Sequence, residues 1–207
     1  MKVVIVDYGM GNLGSVSRAL AELGAEPAIA ATPDDLADAE RIILPGVGSF
    51  ADGMDRLAAG GWVEALRRQV AGGTPLLGIC LGMQLLAGRG TEGGDRAGLD
   101  LIPGTVQRLD TLGCSRRIPH VGWNNVSFPG APGPLFAGIP AGTDFYFVHS
   151  FAFRADQPAD VIAVTDYDIP VVAAIGRGRV LGTQFHPEKS SKAGFRLLQN
   201  FLGPLPC

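Results

Sequence analysis

Cys80 stands between two glycines in "LLGICLGMQLL", residues 76–86, where an apolar run changes its period. Before it the run reads as a short buried strand; after it Leu81, Leu85 and Leu86 recur as on one face of a helix. A thiol at a strand-to-helix corner, flanked by Gly78 and Gly82, has the form of a nucleophile elbow, a tight turn that exposes the reactive atom. The amides that open the following helix favour a thiolate and are able to hold an oxyanion. A thiol nucleophile requires a base, and the sequence has three histidines, His120, His149 and His186. His186 ends an apolar strand in "GTQFHPEKS", with Glu188 two residues on. An extended Pro187 between them sets both side chains on one side, the carboxylate orienting the imidazole. Cys80, His186 and Glu188 thus form a candidate triad. The plainer alternative is a small buried thiol that fills space and a histidine serving its own hydrogen bonds.

The elements around these residues alternate strand and helix. Val3 to Val6 is a β-branched run, and "GMGNLGSVSRALAELGA" turns into a helix with Val16, Leu20 and Leu23 at helical spacing. Glu26 to Ala30 is a weak second strand, and Thr32 before "PDDLADA" caps a short helix with acids in its first turn. "RIILPGVGSF" is a third strand running into a glycine-rich turn, Trp62 to Val70 an amphipathic helix, and Pro75 to Ile79 the strand that feeds Cys80. Short crossovers of this kind predict a mainly parallel sheet covered by helices on both faces. From about residue 100 the helical patterns stop: "GTVQRL", "RIPHVGWNNVSF", "DFYFVHSFAFR", "DVIAVTDYD" and "VVAAIGRGRVLGTQF" read as antiparallel strands added to one side of the sheet, with hairpin signals at Gly176 and Gly178. "SKAGFRLLQNFL" is a closing helix with a Phe195, Leu198, Phe201 stripe. The expected fold is α/β, a single domain over residues 1–207.

A composition 46% hydrophobic and 18% charged suits a well-buried core, and a net charge of −3 provides no basic field for nucleic acid. No apolar stretch is long enough for a signal peptide core or a membrane span, which predicts a soluble, cytoplasmic protein with reduced thiols. Cys114 and Cys207 lack the setting of Cys80, and no C-x-x-C pair suggests a metal site. Gly9, Gly11 and Gly14 fit a dinucleotide fingerprint in spacing alone, because no acid closes a second strand; no cofactor is expected. Arg116 and Arg117 read as a solvated turn.

"LPGVGSF", "GICLGMQLL" and "QFHPEKS", in that order, resemble the class I, triad-type glutamine amidotransferases. The resemblance implies a glutaminase: Cys80 attacks the side-chain amide of glutamine, His186 moves protons, Glu188 steers His186, and a γ-glutamyl thioester is hydrolysed. It also implies that Gly46, Val47 and Gly48 form a loop facing the thiol, that an amide of Val47 or Gly48 joins that of Leu81 in an oxyanion hole, and that Gln84, His149 and Ser150 hold glutamine. With glycine on both sides of Val47, a peptide flip in this loop costs little and would serve as a switch. "VDYGMGNLGSV", "IPHVGWN" and "DFYFVHSF" resemble the branch that supplies ammonia to the histidine pathway, with Phe151 where many relatives carry tyrosine. That branch implies a separate (β/α)8-barrel cyclase subunit, a shielded ammonia channel, and Asn12, Trp123, Tyr146 and Lys189 at the contact. The ordinary alternatives are a helix cap for Asn12, sheet packing for the aromatics and a solvated charge for Lys189. Other functions to weigh are an amidotransferase subunit for aminobenzoate or pyridoxal phosphate synthesis, a cysteine peptidase of related fold, and a binding module that has lost activity.

Overall fold

Both faces of the first strand, β1 (Lys2–Val6), are dry: Val4 and Val6 enter one apolar cluster, Val3 and Ile5 the other. Such a strand lies inside a sheet covered on both sides. The computed structural model, which describes residues 1–205, has that arrangement. The chain continues through α1 (Leu13–Glu22), β2 (Glu26–Ala30), β3 (Arg41–Gly46), α2 (Phe50–Ala59), α3 (Trp62–Ala71), β4 (Leu76–Cys80) and α4 (Leu81–Leu85). The short β5 (Arg89–Gly90) and β6 (Arg96–Ala97) precede β7 (Gly104–Arg108), β8 (His120–Val126), β9 (Thr143–His149) and β10 (Phe151–Ala155). The chain ends with β11 (Val161–Tyr167), β12 (Ile169–Arg177), β13 (Val180–Thr183) and α5 (Ser191–Leu202).

The main sheet has the order β11-β12-β13-β4-β3-β1-β2. Its strands from β13 to β2 are parallel, and β11 and β12 add an antiparallel edge. Residues of α1 and α5 pack on one face through Val16, Leu20, Leu197 and Phe201, those of α2 and α3 on the other through Phe50, Leu57, Trp62 and Leu66. Among the described residues no helix is long and apolar enough to cross a membrane.

The expected α/β class with antiparallel strands in the later half is the one observed, with differences in detail. Among the described residues only β11 and β12 extend the main sheet antiparallel; β10-β7-β5-β6 form a second sheet, and β8 and β9 a two-stranded ribbon of their own. β13 returns parallel to β4, which brings the segment before His186 alongside the strand that ends in Cys80. Helix α2, where the sequence suggested only a turn, contains Gly53, which lets it approach Leu81 and Leu85. The hairpin turn falls at Gly178, with φ +58, whereas Gly176 lies within β12 against Ile162 and Leu181. The capped segment after Thr32 is a 3-10 turn, Pro33–Leu36, whose Asp35 carboxylate accepts from the Thr32 amide at 2.9 Å.

Candidate active site

Cys80 is the last residue of β4, and its backbone turns at φ +56 and ψ −111. For a residue with a Cβ that conformation costs about 1–3 kcal/mol and persists only where the surroundings enforce it. They do so through the two glycines. A Cβ on Gly78 would lie 2.6 Å from the Gly82 carbonyl oxygen, and one on Gly82 would overlap the Leu44 carbonyl of β3. The chain doubles back with no room for side chains on either side of the thiol. Cys80 is left 7% exposed, at the floor of a cavity of about 290 Å³. Helix α4 is five residues long, so its end supplies less of a dipole than the sequence suggested. The groups facing the sulfur are a side chain and a carbonyl of neighbouring segments instead: Gln184 Nε2 donates to Sγ at 3.8 Å, and the Val148 carbonyl, also at 3.8 Å, accepts from Sγ only while the thiol keeps its proton.

His186 follows β13 and is 3% exposed. Its Nδ1 is 2.8 Å from Oε1 of Glu188, and the ring lines the same cavity as Cys80. The carboxylate accepts from Nδ1–H, which leaves Nε2 to the sulfur. The route to this geometry differs from the expectation: Pro187–Lys189 form a 3-10 turn, not an extended step. Proline suits the first position of a helical turn, and the turn brings Glu188 back beneath the ring. Burial pulls the His186 imidazole down, but hydrogen bonds to Cys80 and Glu188, and their charges, outweigh it and hold it up at about 9. Among the described residues Glu188 Oε2 is buried with no hydrogen-bond partner.

Val47, Gly48 and Leu81 line the same cavity, as do Gln84, His149, Ser150 and Lys189. Gly48 has φ +125, and Met10 Cε occupies the space a Cβ would need. The Gln84 amide donates to the Phe151 carbonyl at 2.9 Å and to Gln184 Oε1 at 3.0 Å. Asn12, Trp123 and Tyr146 are not among the cavity residues. Asn12 caps α1, accepting from the Ser15 amide at 3.2 Å. Trp123 and Tyr146 are a cross-strand pair on the β8–β9 ribbon, ring centroids 6.1 Å apart, and Trp123 is 55% exposed. Cys114 is buried and donates to the Tyr167 carbonyl at 3.3 Å; the Arg116 guanidinium lies 5.4 Å from the centre of the Tyr167 ring. Cys207 lies outside the described residues.

Three further residues belong to the site and were not selected from the sequence. Gln184, fully buried, connects Gln84 to the sulfur; an amide inside the apolar "VLGTQF" was its only signal. The Tyr8 hydroxyl is buried beneath Gly46 with no hydrogen-bond partner among the described residues, and burial, then the charge of Cys80, push its titration upward. His120 bonds His149 behind the cavity wall.

Comparison with known proteins identifies the family. Residues 4–203 match the model of the family described as glutamine amidotransferase class-I. The chain is 50% identical over 199 residues to the imidazole glycerol phosphate synthase subunit HisH of Moorella thermoacetica, covering 96% of this chain and 93% of that protein. It is 49% identical over 207 residues to the subunit of the same name from Symbiobacterium thermophilum, covering 100% and 95%. Among solved structures, PurLQS from Thermotoga maritima superposes with a TM-score of 0.77 at 20% identity, covering 97% of each chain. A glutamine amidotransferase from Thermotoga maritima gives 0.69 at 17%, covering 98% of this chain and 82% of that one. At those identities the structures support the fold alone, whereas the full-length relatives are specific: the chain belongs to the class-I glutamine amidotransferases, among the HisH subunits of imidazole glycerol phosphate synthase.

Proposed function

We propose that the chain is the glutaminase of imidazole glycerol phosphate synthase, hydrolysing glutamine to glutamate and ammonia at Cys80 for a cyclase subunit in histidine biosynthesis. The observation that carries the reading is the strained Cys80 corner opening into the same cavity as an imidazole that Glu188 holds at 2.8 Å. The Cys80 sulfur, its proton held by His186, attacks the side-chain amide carbon of glutamine. The carbonyl oxygen gains the charge and is met by the Leu81 amide and by Val47 or Gly48 of the facing loop. His186 Nε2 gives its proton to the departing nitrogen, the carbon–nitrogen bond breaks, and ammonia leaves a thioester on Cys80. Water then attacks that carbon, His186 takes a proton from it, and glutamate leaves as the sulfur is released. Gln84, His149 and Ser150 hold glutamine along the cavity wall.

Similarity over nearly the full length to HisH subunits supports the histidine pathway over aminobenzoate or pyridoxal phosphate synthesis. The partner in this reading is a (β/α)8-barrel cyclase docked over the cavity, with Asn12, Trp123, Tyr146 and Lys189 at the contact. The exposed Val47, Val121 and Trp123 provide apolar surface for it. A cytoplasmic location suits the free thiols of Cys80 and Cys114. The test is glutamate release with and without the cyclase and its nucleotide ligand. Release is expected to rise with both present and to fall about 10⁴-fold or more in Cys80→Ala. Release from peptides instead, or turnover that survives Cys80→Ala, overturns the proposal.

A further inference from the structure

His120 and His149 face each other across the β8–β9 ribbon, and the mechanism moves no proton through either. Their partners fix which nitrogens carry hydrogen. His149 Nδ1 lies 2.8 Å from the Phe151 carbonyl, which can only accept, so Nδ1 is protonated. His149 Nε2 then accepts from His120 Nδ1, 3.0 Å away. His120 Nε2 is left to accept from Asn124 Nδ2 at 3.3 Å, and that amide is oriented by its donation to the Asp166 carbonyl at 2.9 Å. Both rings are neutral. Burial, then the other imidazoles against it, holds His149 down at about 3, and burial followed by the Arg116 charge holds His120 down at about 4. The His120 ring is clamped between Phe147, at 4.8 Å, and Tyr167, at 4.1 Å.

The Phe151 carbonyl also accepts from Gln84, Gln84 donates to Gln184, and Gln184 donates to the Cys80 sulfur. One hydrogen-bonded series therefore runs from Asn124 on the ribbon to the nucleophile. The same ribbon holds the other side of the site: the Tyr146 amide donates to Ser190 Oγ at 3.0 Å, Ser190 donates to the His186 carbonyl at 2.6 Å, and the His186 amide donates to the Tyr146 carbonyl at 3.0 Å. Trp123, the exposed partner of Tyr146, lies three residues from His120 on the same strand.

We infer that His120 is a positioning residue for glutamine turnover, its Nδ1–H locking His149 and with it the Phe151 carbonyl and the Gln84 amide, so that the ribbon and the glutamine wall move as one body. The inference rests on the glutaminase reading and adds a way for pressure on the ribbon surface to reach the pocket. The test is glutamine hydrolysis by the complex with an imidazole glycerol phosphate synthase cyclase and its ligand. His120→Phe keeps a ring between Phe147 and Tyr167 and removes both nitrogens; His120→Asn restores a donor near the place of Nδ1. His120→Phe is expected to raise KM for glutamine about tenfold while kcat changes less than about threefold, and His120→Asn to recover most of the loss. An unchanged KM in His120→Phe, or equal damage in both variants, overturns the inference. Should His120→Phe fail to fold, nitrogen NMR of the wild-type complex decides: both rings are expected as the Nδ1–H tautomer, and an Nε2–H ring at either position overturns it. A wild-type complex that leaves glutamine intact sinks the glutaminase reading and this inference together, whereas normal wild-type turnover with an indifferent His120→Phe sinks the inference alone.

Discussion

His186 and His149 line one cavity and are almost equally buried, yet their protonation diverges: one is held up at about 9, the other down at about 3. Burial disfavours the charged ring in both. The difference lies in what each ring touches. His186 has the Cys80 sulfur and the Glu188 carboxylate, both able to carry negative charge. His149 has a carbonyl dipole and a second neutral imidazole. The immediate partners of a buried histidine thus decide whether it is held charged or neutral, and this cavity has one of each.

The sharpest way to break the contrast is to remove the charge that sets it. Glu188→Gln keeps an acceptor for Nδ1–H and deletes the carboxylate, so His186 should titrate lower and glutamine turnover should fall about a hundredfold. Ring titration by NMR together with kcat checks both halves. The two rings should also pull stability in opposite directions with pH. For His186, raised from the ordinary 6.5, the contribution is fully present below 6.5 and is lost as pH rises through about 9. For His149, lowered from 6.5, it is fully present above 6.5 and is lost as pH falls toward about 3. Melting scans from pH 5 to 9.5 should show Glu188→Gln losing less stability than wild type on the alkaline side, a difference of about 5 °C. On the acid side the two proteins should decline in parallel. The smallest effect concerns Tyr8, whose buried hydroxyl has no hydrogen-bond partner among the described residues. Tyr8→Phe should stabilise the fold by about 1 kcal/mol in a denaturant titration, since it removes an unpaired buried group.

The Cys80 corner and the His186–Glu188 pair were legible in the sequence, and Gln84, His149 and Ser150 came from the family resemblance; the His120–His149 bond and the place of Gln184 were not. Cys80 declares itself because the elbow is local: glycines two residues to either side are required by contacts the turn makes with itself and with β3. Glu188 is two residues from His186, and any compact turn joins them, so the pair was recognisable although the turn proved 3-10. His120 and His149 are 29 residues apart and meet only through the register of β8 with β9, which alternation alone does not fix. Gln184 acquires its role from β13 lying parallel to β4, a pairing across a hundred residues. Helix α2 escaped notice for a related reason: Gly53 reads as a breaker until its contact with Leu85 shows why a small residue is needed.

The chain has two tryptophans, and their surroundings make one of them a reporter. Trp62 is 2% exposed beneath the sheet, while Trp123 is 55% exposed on the ribbon, beside Tyr146. An indole that leaves water emits at shorter wavelength, so of this chain's two tryptophans it is Trp123 whose emission should shift when a tryptophan-free protein covers this surface. Binding can be followed by native fluorescence without attaching a dye.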